Sequence, residues 1–417
     1  MMPKPEINSQ RLWDTIMETA EFGGTARGGV CRLTLTDSDR QVRDWFVKAC
    51  KETGCSVAVD EMGNIFALRP GKNRSLPPIA MGSHLDTQPS GGKFDGIVGV
   101  LSGLEVLRAL HEVDFTTDSP LELIDWTNEE GSRFAPTMIG SGVFAGVINL
   151  NFAYAVKDRD GKKFGDELER IGYRGKTKCG NHKLGTYFEL HIEQGPVLEA
   201  ENKMIGVVTG VQGLRWYDVA VVGRDSHAGS TPMHLRKDAM LACARMVEAA
   251  NKMALNHSPL GVSTVGFIEV KPNSRNVIPG HVSFSVDIRH SEDSELDQME
   301  KELEVLIASI AGDMKLEARL EKVCQFPSVQ FDGECVSMIR NSVKELGYGY
   351  RNLISGAGHD AVYISRVAPT SMIFIPCEAG ISHNELEKTD PEQVAAGANV
   401  LMNAVIVRDR AIQSTLT

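Results

Sequence analysis

The stretch "MGSHLDTQPSGGKFDG", residues 81–96, decides the fold. A short apolar run ends there in a His-x-Asp pair, His84 and Asp86, and a further acid, Asp95, follows across a glycine-rich turn. Apolar runs that turn abruptly polar are the carboxyl ends of buried strands, and in open α/β sheets ligands bind outside those ends. "PPIAMGSH" and "LELIDWTNEE" both have this form, and "DGIVGVLSGLEVLRALHEV" between them reads as a helix. Strand, helix, strand predicts a parallel crossover, so chemistry is expected where His84, Asp86, Asp95, Glu129 and Glu130 gather.

Upstream, "DSDRQVRDWFVKACKETG" places Val42, Trp45, Phe46 and Ala49 at helical spacing, with Asp37 and Ser38 as cap candidates and Gly54 as the stop. "SVAVD" and "NIFALRP" read as a hairpin around "EMG". Downstream the pattern changes. "WYDVAVVG", "STVGFIEV" and "HVSFSVDIRH" read as strands, "RKDAMLACARMVEAANKMA" and "SELDQMEKELEVLIASIAG" as helices, and two helices over an antiparallel sheet make a self-sufficient α+β domain. "GECVSMIRNSVKELG", "TSMIFIP" and "DPEQVAAGANVLMNAVIVRDRA" return to the first style, with Asp390 and Pro391 as N-cap and first helical residue. The expected architecture is an α/β domain with a mixed sheet built from residues 1–212 and 328–417, interrupted by an α+β domain at 213–327.

A chain of 417 residues exceeds what one hydrophobic core usually sustains, in keeping with two domains. A formal net charge of -11 argues against binding nucleic acid through its phosphates, which needs clustered Lys and Arg. The opening segment has no continuous apolar core of a secretory signal and no run approaches a membrane span, so a cytoplasmic protein is expected. The eight cysteines are scattered without a C-x-x-C pair and read as reduced, mostly buried thiols.

Acids and histidines recur beside glycine or at strand ends in "WTNEEGSRF", "FELHIEQGP", "GRDSHAGSTP" and "GISHNELEKT" as well as in the opening stretch. A lone histidine is usually structural, and His111, His182, His234, His257, His281 and His290 are read that way. Together, imidazoles and carboxylates are the ligands of zinc and similar divalent ions, and the number present suffices for two ions with Asp95 as a bridge.

Taken in order, "GSHLDT", Asp95, "NEEG", "HIEQGP", "SHAGSTP", "NVIPG" and "GISHNE" resemble the di-metal amidohydrolase branch of the M20 metallopeptidase family. Within it they are most similar to the N-carbamoyl-amino-acid hydrolases, β-ureidopropionase and L-carbamoylase among them. The resemblance implies a metallopeptidase-like catalytic domain, two divalent ions per subunit (Zn, Mn, Co or Ni) and an inserted dimerisation or lid domain. It implies His84, Asp95 and His191 as ligands of one ion, and Asp95, Glu130 and His383 as ligands of the other. Glu129 matches the general base, and Asp86 is expected to hydrogen-bond the His84 imidazole. His191 stands where peptidases of the family have Asp or Glu, which points to the ureido branch.

For a ureido acid, the resemblance offers Gln194 to the urea, Asn276 and Arg289 to the carboxylate, and Gly356 and Gly358 as a flexible segment nearby, with His359 supporting that loop. His227 is expected to reach the active site of the partner subunit and stabilise an oxyanion, which makes the enzyme a homodimer. The implied reaction releases ammonia and carbon dioxide from an N-carbamoyl amino acid. The alternatives are an allantoate or ureidoglycine type amidohydrolase, an aminoacylase or dipeptidase, and a binding protein without activity.

Overall fold

A computed structural model describes residues 5–416 of the protein. Residues 1–4 and 417, assigned above to the catalytic domain, lie outside the described residues. The chain divides into two compact units: one runs to Thr209 and resumes at Phe331, and the other is Gly210–Gln330.

The first unit is built on a mixed sheet. Its centre is four parallel strands in the order Leu121–Asp125, Ile79–Ser83, Thr186–Ile192 and Thr370–Ile375. Every residue of these four is buried, as expected of strands covered on both faces. Antiparallel strands extend the sheet on both sides: the hairpin Ser56–Val59 and Ile65–Arg69 beyond one edge, and Ile205–Val211 beside Thr370–Ile375. Helix Ile97–Glu112 is apolar almost all round and is the buried crossover between Ile79–Ser83 and Leu121–Asp125. Helices Ser9–Ala20 and Pro391–Leu416 pack against it.

Two differences from the sequence reading are local. Helix Asp37–Glu52 is capped one residue earlier than expected, by Thr36, whose hydroxyl accepts the Asp39 N–H. The short helices Ile139–Phe144, Leu150–Ala155 and Phe164–Arg170 follow the Glu129–Glu130 segment, and runs of six or seven residues carry too little periodicity to announce themselves.

The second unit is an antiparallel sheet in the order Ile268–Lys271, His281–His290, Gly213–Val222 and Glu317–Phe326, with Val262–Thr264 also pairing His281–His290. Burial alternates strictly along His281–His290, so one face meets the helices Ala239–Asn256 and Asp293–Asp313 and the other does not. The core between them includes Tyr217, Phe284, Met246 and Leu303.

His257, at the end of the first of these helices, ties it to the second: Nδ1 lies 2.9 Å from Glu295 Oε2 and Nε2 lies 3.3 Å from Glu302 Oε2. Burial pulls the imidazole towards its neutral form, but the hydrogen bonds with the two carboxylates outweigh it and raise the pKa above 6.5. A pKa raised by folding means that this clasp contributes fully below about pH 6.5 and fades as pH rises through the raised value. His257→Gln should therefore lower the thermal midpoint of the second unit more at about pH 5.5 than at about pH 9, as followed by scanning calorimetry. An equal difference at both pH values would count against the clasp.

Candidate metal centre

The four parallel strands deliver their carboxyl ends side by side. Ile79–Ser83 runs directly into His84, and Leu121–Asp125 leads to Glu129 and Glu130. His191 lies near the end of Thr186–Ile192, in register with Phe374 of the neighbouring strand, which continues to His383. Asp95 stands just before helix Ile97–Glu112.

These residues form two groups that share one acid: His84, Asp95 and His191, and Asp95, Glu130 and His383, with ligand atoms in each group within 4.8 Å of one another. Asp95 divides its carboxylate between them. Oδ1 is 3.1 Å from His191 Nε2 and 3.8 Å from His84 Nε2, whereas Oδ2 is 3.3 Å from His383 Nε2. Glu130 Oε2 is 3.4 Å from the same His383 nitrogen. His84 Nδ1 lies 2.9 Å from the carbonyl of Asp86, and His191 Nδ1 lies 2.9 Å from that of Ile192. An imidazole donating from Nδ1 keeps its Nε2 lone pair for the centre.

The residues fit divalent ions. His84 Nε2 is buried with no hydrogen-bond partner among the described residues, and burial holds this imidazole in its neutral form, with a pKa lowered to about 4. Burial, then Asp360 and the adjacent Glu130, push Glu129 well above the usual carboxylate range, and burial followed by Asp95 does the same to Glu130. The Asp95 carboxylate hydrogen-bonds His191 and His383 and raises both imidazoles, His191 to about 9 against the cost of its burial, so that protons hold the charge balance that a cation would supply to this donor set. Glu129 Oε2 is 3.5 Å from His84 Nε2, at the rim of the first group.

Asp86 departs from the expected contact. Its carboxylate stays 3.9 Å from His84 Nδ1, and the imidazole is oriented by the Asp86 main-chain carbonyl instead. The chain folds back within two residues, which brings the carbonyl to the ring. The side chain is thereby left to accept the N–H groups of Glu129 and Glu130 at 3.2 and 3.3 Å. Beneath, the Leu85 peptide is held at both ends: its N–H donates to Asp125, and its carbonyl accepts from the buried Arg32. Arg43, also buried, lies against Asp39 and Asp125.

Gln194 and His383 both have left-handed backbone, with φ of 56° and 54°, which costs an L residue on the order of 1 kcal/mol. Strain of this kind gathers where loops must turn back on a site. Gln194 Nε2 donates to Asp95 Oδ2 at 2.9 Å, and its Oε1 is buried without a hydrogen-bond partner among the described residues. Gly358 faces Met138, Gly356 is exposed, and His359 Nε2 meets the Ser355 hydroxyl at 3.1 Å.

Three expected residues belong to the second unit. The short pairing of Ser226–His227 with Val277–Ile278, and the Ala228 N–H on the Asn276 carbonyl, set His227 and Asn276 side by side. His227 is exposed, and its Nδ1 accepts the N–H groups of Gly229 and Ser230, both at 3.1 Å. Arg289 hydrogen-bonds Asp287 of its own strand through Nε and Nη2. Sequence reasoning missed Gln88, which donates to Glu130 at 2.6 Å, and Ser382, which donates to Asp95 at 2.7 Å. It also missed Glu387. All three stand within motifs already singled out, but nothing in their spacing tells which way they point.

Imidazoles and carboxylates arranged about a shared acid, at the mouth of a parallel sheet and with a further acid alongside, define a hydrolase. The model of the peptidase family M20/M25/M40 matches residues 80–406. The chain is 50% identical over 400 residues to the N-carbamoyl-L-amino-acid amidohydrolase of Rhizobium meliloti, covering 96% of each. It is 33% identical to the allantoate amidohydrolase of Bacillus subtilis, covering 94% of this chain and 95% of that one. The crystal structure of an amidase of the hydantoinase/carbamoylase family from Burkholderia multivorans superposes with a TM-score of 0.96 at 52% identity, over 97% of this chain and 99% of that one. The protein is an amidohydrolase and belongs to the M20 family. No helix among the described residues is long and apolar enough to cross a membrane.

Gly96 shows how little room the centre leaves. Its φ is +67°, and a Cβ there would lie 2.2 Å from His84 Nε2. Gly96→Ala should therefore weaken metal binding at the His84 group by at least about tenfold, the range found when the support of a ligand is disturbed, and leave the purified protein depleted in metal. Elemental analysis checks this, and unchanged metal content in the folded variant would speak against His84 as a ligand.

Proposed function

We propose that the protein hydrolyses the carbamoyl C–N bond of N-carbamoyl amino acids, giving the amino acid, ammonia and carbon dioxide. The observation that carries this reading is the division of Asp95 between two groups of ligands with Glu129 beside them, in a chain so similar to an N-carbamoyl-L-amino-acid amidohydrolase. His84, Asp95 and His191 would hold one divalent ion, and Asp95, Glu130 and His383 the other. Zn, Mn, Co and Ni all accept this donor set. Bound there, such ions lower the pKa of water and polarise the scissile carbonyl.

The chain's own groups then handle protons and orientation. Glu129 takes a proton from the attacking water and passes it to the leaving nitrogen as the C–N bond breaks. The carbamic acid released decomposes to ammonia and carbon dioxide. Asp86, accepting the Glu129 and Glu130 main-chain N–H groups, holds base and ligand in one register.

Gln194 contacts the ureido group through its unpaired Oε1. Asn276 and Arg289 receive the substrate carboxylate, which must compete with Asp287 for the guanidinium. His227, with Nδ1 occupied by two N–H groups, keeps a proton on Nε2 and so offers a donor to an oxyanion. In this reading the unit Gly210–Gln330 serves dimerisation and substrate binding, the remainder is catalytic, and His227 acts in the partner subunit's site.

A second reading, an allantoate or ureidoglycine type activity, is supported by the likeness to the allantoate amidohydrolase. Assays of metal-loaded and chelated protein on N-carbamoyl-L-amino acids, N-carbamoyl-β-alanine, allantoate and dipeptides should give metal-dependent turnover with an N-carbamoyl amino acid as the best substrate. Preference for allantoate would install the second reading, and turnover of dipeptides alone would overturn both.

Glu129→Gln should keep metal and lower kcat by at least about a hundredfold, because an amide cannot accept the water proton. Near wild-type kcat would remove Glu129 from the role. For the dimer, inactive His227→Ala and inactive Glu129→Gln proteins are mixed under conditions that exchange subunits. Each mixed dimer has one site with intact Glu129 and the partner's intact His227, so activity should return at one site in two. Exchange without activity, or full activity of His227→Ala alone, refutes the cross-subunit role.

A further inference from the structure

Glu387 lies four residues beyond His383 and is 5% exposed. One carboxylate oxygen, Oε1, accepts two main-chain N–H groups, those of Phe94 at 2.9 Å and of Asp95 at 3.0 Å. The other, Oε2, is 3.3 Å from the Ser382 hydroxyl, which in turn is 2.7 Å from Asp95 Oδ2. Glu387 thus grips Asp95 from behind through the backbone, and through Ser382 it also reaches the oxygen that Asp95 turns towards His383. The fit is tight. A Cβ on Gly92 would lie 2.1 Å from Glu387 Oε1, so the second glycine of "PSGGKFDG" leaves space for this carboxylate.

A further clasp fixes the same loop from outside: the Thr25 hydroxyl donates to Glu385 at 2.6 Å. Glu387 itself donates its N–H to Asn384, which closes the turn after His383. The buried Glu387 side chain therefore fastens the segment carrying the last ligand to the backbone of the segment carrying the shared one, beside the Ser382 hydrogen bond to the Asp95 side chain.

We infer that Glu387 is a positioning residue that sets the shared acid: it joins the His383 loop to the Asp95 turn so that Asp95 keeps one oxygen for each group. The inference rests on the di-metal reading and extends it to a residue outside both groups. Shape and hydrogen bonding carry the role. A glutamine can still accept both N–H groups at Oε1 and donate to Ser382, which remains free to donate to Asp95. Aspartate, one methylene shorter, cannot span the same distance.

The test is the titration of metal-free, full-length protein with Zn2+ against a chromophoric chelator, with circular dichroism of each variant. Wild type is expected to take up two ions. Glu387→Ala and Glu387→Asp should weaken at least one site by about tenfold to a hundredfold, the usual effect of removing a ligand's support. Glu387→Gln should stay within about threefold of wild type. A residue that only stabilised the loop would lower the unfolding temperature of all three variants and leave Zn2+ affinity in the folded proteins unchanged, which would overturn the inference. Equal loss in Glu387→Gln and Glu387→Ala would overturn it too, since charge and not geometry would then be the cause. If Glu387→Ala does not fold, the order of the aspartate and glutamine variants decides. A wild-type protein that takes up no Zn2+ fails at an earlier point, and the metal reading falls with the inference.

Discussion

Asp95 is buried, charged and shared, and the rest of the first unit answers to those conditions. Burying a carboxylate costs several kcal/mol unless hydrogen bonds and positive partners replace water. Here hydrogen bonds with His191 and His383 overcome the cost of burial and keep Asp95 well below the usual carboxylate range. With His84 and Glu130 these residues come from three different strand ends and a loop, and a sheet with adjacent parallel strands brings them round one side chain. The glycine that follows Asp95 exists because the His84 ring occupies the space its side chain would need. Fold, turn chemistry and ligand set are thus one constraint seen at three scales.

How much of this could be read in advance follows the range of the interactions. The strand ends around His84 and Glu129 were legible because an apolar run that stops at polar residues is a local pattern, and the second unit was legible because strict alternation along His281–His290 is local too. The Asp86 contact was not. Its position two residues from His84 suggested a side-chain hydrogen bond, but the direction of a side chain after a strand end depends on the next strand, whose Glu129 and Glu130 N–H groups claim it. Thr36 takes the cap in place of the expected Asp37 or Ser38, because adjacent residues compete for that position and local chemistry alone does not choose among them. Glu387 was hidden for the same reason as Asp86, since its partners Phe94 and Asp95 are close only after folding.

The two arginines under the centre extend the point to energetics. Arg32 and Arg43 are fully buried, and such groups are tolerated only where fixed acceptors replace water. Arg32 reaches the carbonyls of Thr19, Phe22 and Leu85, while Arg43 meets Asp39 and the Gly63 carbonyl. They brace the floor from helices Ser9–Ala20 and Asp37–Glu52, elements that contribute no ligand themselves. A position so constrained transmits small errors: a shift of the first helix reaches the His84 segment through one guanidinium.

The interruption of the first unit by Gly210–Gln330 has a consequence in time. A ribosome delivers His84, Asp95, Glu130 and His191 first, then the whole inserted unit, and only afterwards the strand Thr370–Ile375 and the His383 loop. Until that strand emerges, Thr186–Ile192 lacks its neighbour on one side, and Asp95 lacks Glu387 as well as His383. The nascent chain therefore carries most of the cluster with no means of closing it, and the centre can be completed only after the inserted unit has been made.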